Sequence, residues 1–346
     1  MPDPIRVGVV GAGANTRLRH IPGLQAIDGV EVVVVCNRSQ ESGQRVADEF
    51  GIPRVATDPR EVFEADDVDA VCVGTWPYRH RDYVIAALEA GKHVLVEARM
   101  AMDASEAREM LAVARQRPEL VAQIVPSPLD FKSWRTIRRM VQDGSLGEVR
   151  EAHVNVLGEA SLKADAPLHW RERIEYSGTN TMTMGLYLEA IHRWLGPTAR
   201  VMADGTTFVR ERANPDDGQP YQIEIPDSLG ILATMESGTR VSYRISTVTH
   251  APAAPNGVSL YGSKATLHWQ PGDRMTLAPI GGEPQTLEPD PGTAGDWRVE
   301  QDFVDSIREG KPVELTSFED GVLYMRVTEA VARSRREGRA VEIAEV

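Results

Sequence analysis

Short aliphatic runs alternate with amphipathic stretches through the first 125 residues. The runs at 5–10, 30–36, 69–74, 93–97 and 121–125 are rich in valine and predict strands. The stretches at about 16–27, 39–50, 59–65, 79–90 and 103–116 carry helical periodicity. Gly91 follows the fourth helix as a C-cap glycine. Asp103 precedes the fifth as an N-cap, with Glu106 in the capping-box position. Alternating strands and helices imply a parallel sheet covered on both faces. After Pro126 the pattern changes. A helix at about 130–142 stops at Gly144, and strands then dominate: 148–157, 200–209, 227–236, 239–248, 257–262, 265–269 and 274–278. Glu236-Ser237-Gly238 and Gly262-Ser263-Lys264 read as hairpin turns. One helix, at 181–195, interrupts the strands, and helices at 297–309 and 318–337 close the chain. The pattern thus predicts an α/β domain over 1–125 and an α+β domain with an open, mostly antiparallel sheet over 126–346. The flat open face predicts a homodimer or homotetramer built through it.

Composition narrows the partners. The 346 residues carry a net charge of −13 and no basic run, which argues against nucleic acid. No apolar run approaches the length of a membrane span, and Met1-Pro2-Asp3-Pro4 lacks an apolar signal region, so a cytoplasmic protein with no membrane partner is expected. Cys36 and Cys72 lie in strand-like runs and read as buried small hydrophobes. Zinc spacing, a P-loop and a nucleophile elbow are all missing, and no metal site is expected.

The chemistry begins at Gly11-Ala12-Gly13, where the first strand breaks into a helix. Glycine at 11 permits a sharp turn. Glycine at 13 leaves room for a pyrophosphate at a helix N-terminus, where free N–H groups favour an anion. The candidate cofactor contacts here are Gly11, Gly13, Ala14, Asn15 and Thr16, with Thr16 where a third small residue is usual. The second strand ends in Asn37-Arg38-Ser39, where such folds read the ribose. No carboxylate stands there to repel a 2′-phosphate. Arg38 can pair with one and Ser39 can donate to it, so NADP is expected in preference to NAD.

Further on come Thr75 and His80, then Gly91-Lys92-His93-Val94-Leu95-Val96-Glu97-Ala98-Arg99-Met100-Ala101, then Asp143-Gly144-Ser145-Leu146-Gly147-Glu148 and Gly262-Ser263-Lys264-Ala265-Thr266-Leu267. Together with the glycine turn, these make the chain resemble the glucose–fructose oxidoreductase / inositol dehydrogenase / rhizopine catabolism (Gfo/Idh/MocA) family over nearly its whole length. The resemblance implies an N-terminal Rossmann domain and a nicotinamide cofactor, and adds Trp76, Glu97 and Ala98 to Thr75 as cofactor-pocket residues, with His80 a cofactor-pocket or packing histidine. It also exposes departures. The family has Glu-Lys-Pro where this chain has Glu97-Ala98-Arg99, and its lysine is a catalytic and substrate-orienting group. Trp76 takes the place of a proline. The family's Asp-x-Gly-x-His helix motif, aligned on Gly185, puts Thr183 at the aspartate and Tyr187 at the histidine.

Tyr187 is then the best remaining acid/base, provided a cation or the oxidised nicotinamide lowers its pKa. Thr183 can hydrogen-bond and position substrate. His169, Arg171, Tyr176 and Asn180, before the site helix, are the candidate substrate contacts, with Arg171 suited to an anionic group. His192 reads as structural, on the opposite helix face from Thr183. The leading expectation is an NAD(P)-dependent oxidoreductase moving a hydride to or from a carbinol carbon of a sugar, polyol or similar small molecule. The missing lysine keeps open a redox-neutral, NAD-dependent glycoside cleavage through transient oxidation and elimination. A non-catalytic cofactor or sugar binder is the third reading.

Overall fold

The computed structural model describes residues 4–163, 165–252, 254–292 and 294–346. Residues 1–3, 164, 253 and 293 lie outside the described residues. The chain forms two compact units. One runs to Pro126 and includes Arg298–Val322; the other comprises Ser127–Trp297 and Leu323–Val346.

In the first unit, β1 (Ile5–Val10), α1 (Ile21–Gln25), β2 (Val30–Cys36), α2 (Gln40–Phe50), β3 (Arg54–Ala56) and α3 (Arg60–Phe63) follow in order. Then come β4 (Ala70–Val73), α4 (His80–Glu89), β5 (His93–Val96), α5 (Ala104–Arg115) and β6 (Ala122–Ile124). Among the described residues the six strands form one parallel sheet in the order β3-β2-β1-β4-β5-β6. Every residue of β4 is buried, as expected for a strand covered on both faces. Chain direction across the sheet reverses between β1 and β4. At such a switch point the loops diverge and open a ligand crevice beyond the strand ends.

The first helix differs from expectation. Thr16–His20 is wound as a π-helix before α1 begins. Pro22 sits in the first turn of α1 and has no N–H to give back to the preceding turn, so regular α winding cannot run through it. The division of the chain also differs from a single boundary at 125/126. Arg298–Val322 packs with the first unit because it completes the edge left by β6: Ile124 N–H donates to Thr316 O at 3.0 Å, and Gln123 bridges Ser317.

In the second unit, α6 (Trp134–Gln142), β7 (Val149–Leu157), α7 (Ile174–Ser177) and α8 (Met184–Leu195) precede β8 (Thr198–Thr206), β9 (Glu211–Ala213) and β10 (Pro220–Gln222). Next are β11 (Ser228–Met235), β12 (Arg240–Ser246), β13 (Gly257–Gly262), β14 (Ala265–Gln270), β15 (Arg274–Pro279) and β16 (Gln285–Leu287). Two helices follow, α9 (Val299–Glu309) in the first unit and α10 (Phe318–Glu337) across the division, before β17 (Val341–Glu342) ends the second unit. Nine of the described strands make a mixed sheet in the order β16-β15-β14-β13-β7-β12-β11-β8-β17. The β7–β12 pair is parallel and the other pairs are antiparallel.

Alternation sorts the two faces of that sheet. Leu229, Ile231, Val241, Tyr243 and Ile245 are buried on one side. There Trp194 of α8 meets Trp269 edge-on at 5.7 Å. The other face is largely polar. His268, Ser259, His153 and Ser242 lie in register across it, and the row ends in Leu232 and Met202, the exposed apolar pair.

Candidate functional site

The glycine turn sits at the C-terminal end of β1, at the switch point. Gly11 has φ +86°, and a Cβ there would lie 2.8 Å from the backbone nitrogen of Thr75, so glycine is required. Gly13 is different: the nearest protein atom to a Cβ there is Gly74 O, at 3.7 Å. The protein does not demand a glycine at 13. The space it leaves, with the exposed Ala14 and Asn15 beside it, suits a ligand's close approach to the backbone. Thr75 Oγ1, against the same turn, is buried with no hydrogen-bond partner among the described residues. Both features fit a dinucleotide. Thr16 departs from expectation. Its side chain is buried and donates to Gly11 O at 3.2 Å, bracing the turn from inside.

At the end of β2, Asn37 Oδ1 accepts from Ala12 N–H at 2.8 Å, locking the glycine turn to the second strand. Ser39 is the N-cap of α2, and its hydroxyl accepts from Ser42 N–H at 3.2 Å. Arg38, between them, is exposed.

Beyond β5 lies a charged cluster that sequence reasoning missed. Glu97 Oε1 accepts from Asn15 Nδ2 at 2.5 Å and contacts His20 Nε2 at 3.0 Å. The other ring nitrogen of His20 reaches Glu300 Oε1 at 2.5 Å, and His20 is fully buried. Burial opposes a charge on His20, but the hydrogen bonds to Glu300 and Glu97 outweigh it and raise its pKa to about 9. Burial likewise opposes ionisation of Glu97, but His20 and Asn15 hold its carboxyl below the usual range. His20 is therefore an imidazolium held between the side chains of Glu97 and Glu300. Gly23 makes it possible: a Cβ there would fall 2.8 Å from Glu300 Oε2. The signal was in the sequence, as His20-Ile21-Pro22-Gly23, but its partner lies 280 residues on.

The remaining residues of this unit divide. Trp76 is exposed and Ala98 half-buried, with Ala98 N–H donating to Glu97 Oε2 at 3.2 Å. Of the two readings of His80, its side chain takes the packing one. It is sealed in the interior, with Nδ1 3.0 Å from Arg99 O and Nε2 2.8 Å from Thr75 O, tying the loop after β4 to that after β5.

In the second unit Thr183 is the N-cap of α8 and is exposed. It lines a cavity of about 580 Å³ together with His169 and Arg171. Tyr187, one turn on, is buried and is not part of that lining. Burial raises its phenol, and no cation among the described residues of this unit acts to lower it. His169 Nδ1 accepts from Arg171 N–H at 3.1 Å, and Glu172 caps the backbone of His169 in return. Burial and the Arg171 charge lower the pKa of His169, leaving a neutral ring with its proton on Nε2. The Arg171 guanidinium stacks 4.3 Å over Trp170. Tyr176 and Asn180 fall outside the cavity lining. Tyr176 lies under the Arg173 guanidinium, and Asn180 is buried with Nδ2 donating to Ser177 O at 2.8 Å. His192 bonds Thr198 and is driven down to about 4 by burial, a structural residue as expected.

Two family models match this chain. The first, described as the oxidoreductase family with an NAD-binding Rossmann fold, covers residues 5–124, and the second, the GFO/IDH/MocA C-terminal domain, covers 134–268. The chain belongs to the Gfo/Idh/MocA family. Among its relatives are a dTDP-3,4-didehydro-2,6-dideoxy-alpha-D-glucose 3-reductase of Streptomyces antibioticus, 29% identical over 70% of this chain and 72% of that protein, and a D-glucoside 3-dehydrogenase of Escherichia coli, 25% identical over 99% and 98%. Levoglucosan dehydrogenase, solved with NADH and levoglucosan, shares the fold with a TM-score of 0.85 at 18% identity, covering 99% of this chain and 100% of that one.

Proposed function

We propose that this chain is a nicotinamide-dependent oxidoreductase acting on a carbinol carbon of a sugar or polyol. The observation that carries the reading is the family's Rossmann unit, with Gly13 left open beside the β1 turn. When bound, the nicotinamide accepts the hydride of the carbinol carbon or returns it. The cofactor-side residues are Gly11, Gly13, Ala14, Asn15 and Thr75, with Glu97 held by His20 and Asn15 at the end of β5. On the substrate side, His169 donates from Nε2, Arg171 supplies positive charge and Thr183 Oγ orients a hydroxyl. With Ala98 where the family pattern has lysine, the hydroxyl proton passes to solvent rather than to a lysine amine. Tyr187 serves as a neutral hydroxyl. A difference-absorbance screen at the reduced-nicotinamide band, with sugars and glycosides, tests the reading; silence across the panel with both cofactors overturns it.

NADP is the preferred cofactor. The support is Arg38, exposed at the end of β2, and the lack of a carboxylate among Asn37, Arg38 and Ser39. Ser39 is occupied as a helix cap and adds little. NADPH should bind roughly tenfold more tightly than NADH, and Arg38→Ala should remove most of that difference, about 1.4 kcal/mol. Equal dissociation constants in the native protein would contradict the preference. The oligomer is a pair or tetramer of copies meeting through the open sheet around Leu232 and Met202.

A further inference from the structure

The cavity beside Thr183 has a divided character. Its floor is the covered face of the sheet, where Val156 and Ile245 are register neighbours on the parallel β7–β12 pair. Val209, Ile223 and Ile225 form further apolar wall. The charged residues of that wall are committed to the protein itself. Arg212, nearly sealed from solvent, donates to Glu172 and to the carbonyl oxygens of Ser161, Lys163 and Ala166. Asp227 accepts from the N–H groups of Phe208 and Val209. Ser161 and Thr247 bond each other at 2.8 Å. These bonds also fasten the surrounding loops, so the cavity is preformed. His169, Arg171 and Thr183 line the same cavity.

A bare polyol fits this lining badly. Hydroxyls pushed against Val156, Ile223 and Ile245 would lose water and gain no partner. An apolar group there gains by leaving water. The volume of about 580 Å³ is that of a pocket for a ligand well beyond a methyl substituent. We propose that the cavity takes the apolar aglycone of a glycoside, with the sugar ring held at His169, Arg171 and Thr183. The inference rests on the oxidoreductase reading above and narrows its substrate class; the aglycone is bound and keeps its bond to the sugar.

Calorimetry on the cofactor-loaded protein with phenyl β-D-glucopyranoside and methyl β-D-glucopyranoside tests it. The phenyl compound is expected to bind roughly tenfold more tightly or better. Val156→Thr, nearly isosteric, and Ile223→Thr, one methyl shorter, made separately so that one misfolded variant does not decide the matter, should cut that ratio several-fold while sparing the methyl compound. A native ratio near one, no binding of either glucoside, or a ratio untouched by both variants overturns the proposal. Cofactor reduction by unsubstituted sugars is scored separately: if it persists while the ratio is flat, the substrate class fails and the oxidoreductase reading stands.

Discussion

At the scale of single residues, the departures from the family pattern change what each side chain can do. Tyr187 occupies the position of a histidine, but burial raises its phenol and leaves it neutral through the ordinary working range. Tyr187→Phe should therefore leave the shape of the kcat/KM against pH profile unchanged. A limb below pH 10 that disappears in the variant would show that the phenolate is the base. His169 is neutral with Nδ1 engaged, so it donates a hydrogen bond rather than accepting a proton. His169→Gln, which retains a donor, should keep more activity than His169→Ala, read as KM rather than kcat. These assignments could not be made from sequence. Which nitrogen of His169 is engaged depends on a backbone N–H two residues on, and the depth of Tyr187 depends on how α8 lies on its sheet.

Elements were more legible than residues. Strands of six or more residues and helices of nine or more show their period in the sequence, and α2, α4, α5, α6, α8, α9 and α10 start or stop within a few residues of the predicted ends. The unpredicted strands, β3, β9, β10, β16 and β17, have three residues or fewer, too short to display alternation. The π-wound turn before α1 was likewise hidden, because the sequence shows Pro22 but not how the preceding turn accommodates it. The cluster that joins α1, β5 and α9 has a pH signature. The pKa of His20 is raised from 6.5 to about 9 on folding, so its contribution to stability is full below pH 6.5 and is lost as pH rises through about 9. The contribution of Glu97, whose carboxyl is lowered, runs the other way and is lost in acid. Thermal melts should show Tm falling from pH 7 to pH 9.5 in the native protein and a flatter response in His20→Gln. A native Tm constant across that window would show that the imidazolium is not the form that holds α9.

At the scale of the whole molecule, the fold class followed from the alternation of period along the chain, while the return of Arg298–Val322 to the first unit did not. Helical periodicity in α9 says that one face is buried, not against which unit. No described helix is long and apolar enough to cross a membrane. The open sheet face is largely polar, so an oligomer formed through it has a small apolar contact, centred on Leu232 and Met202, within a polar surround. Sedimentation at micromolar concentration should show a dimer or tetramer, and Leu232→Glu should shift it toward monomer. A native monomer would exclude this assembly.

Gly23 has a consequence beyond stability. Any side chain there would displace Glu300, and losing Glu300 would strip His20 of one of its two carboxylates. The three positions thus form one unit of inheritance spread over 280 residues. Among relatives, a chain with a larger residue in place of Gly23 should also have exchanged the glutamate, the histidine or both. Grafting Gly23→Ala alone into this protein should cost on the order of 1–3 kcal/mol, and the Gly23→Ala/Glu300→Ala double variant should lose less than the two single losses summed.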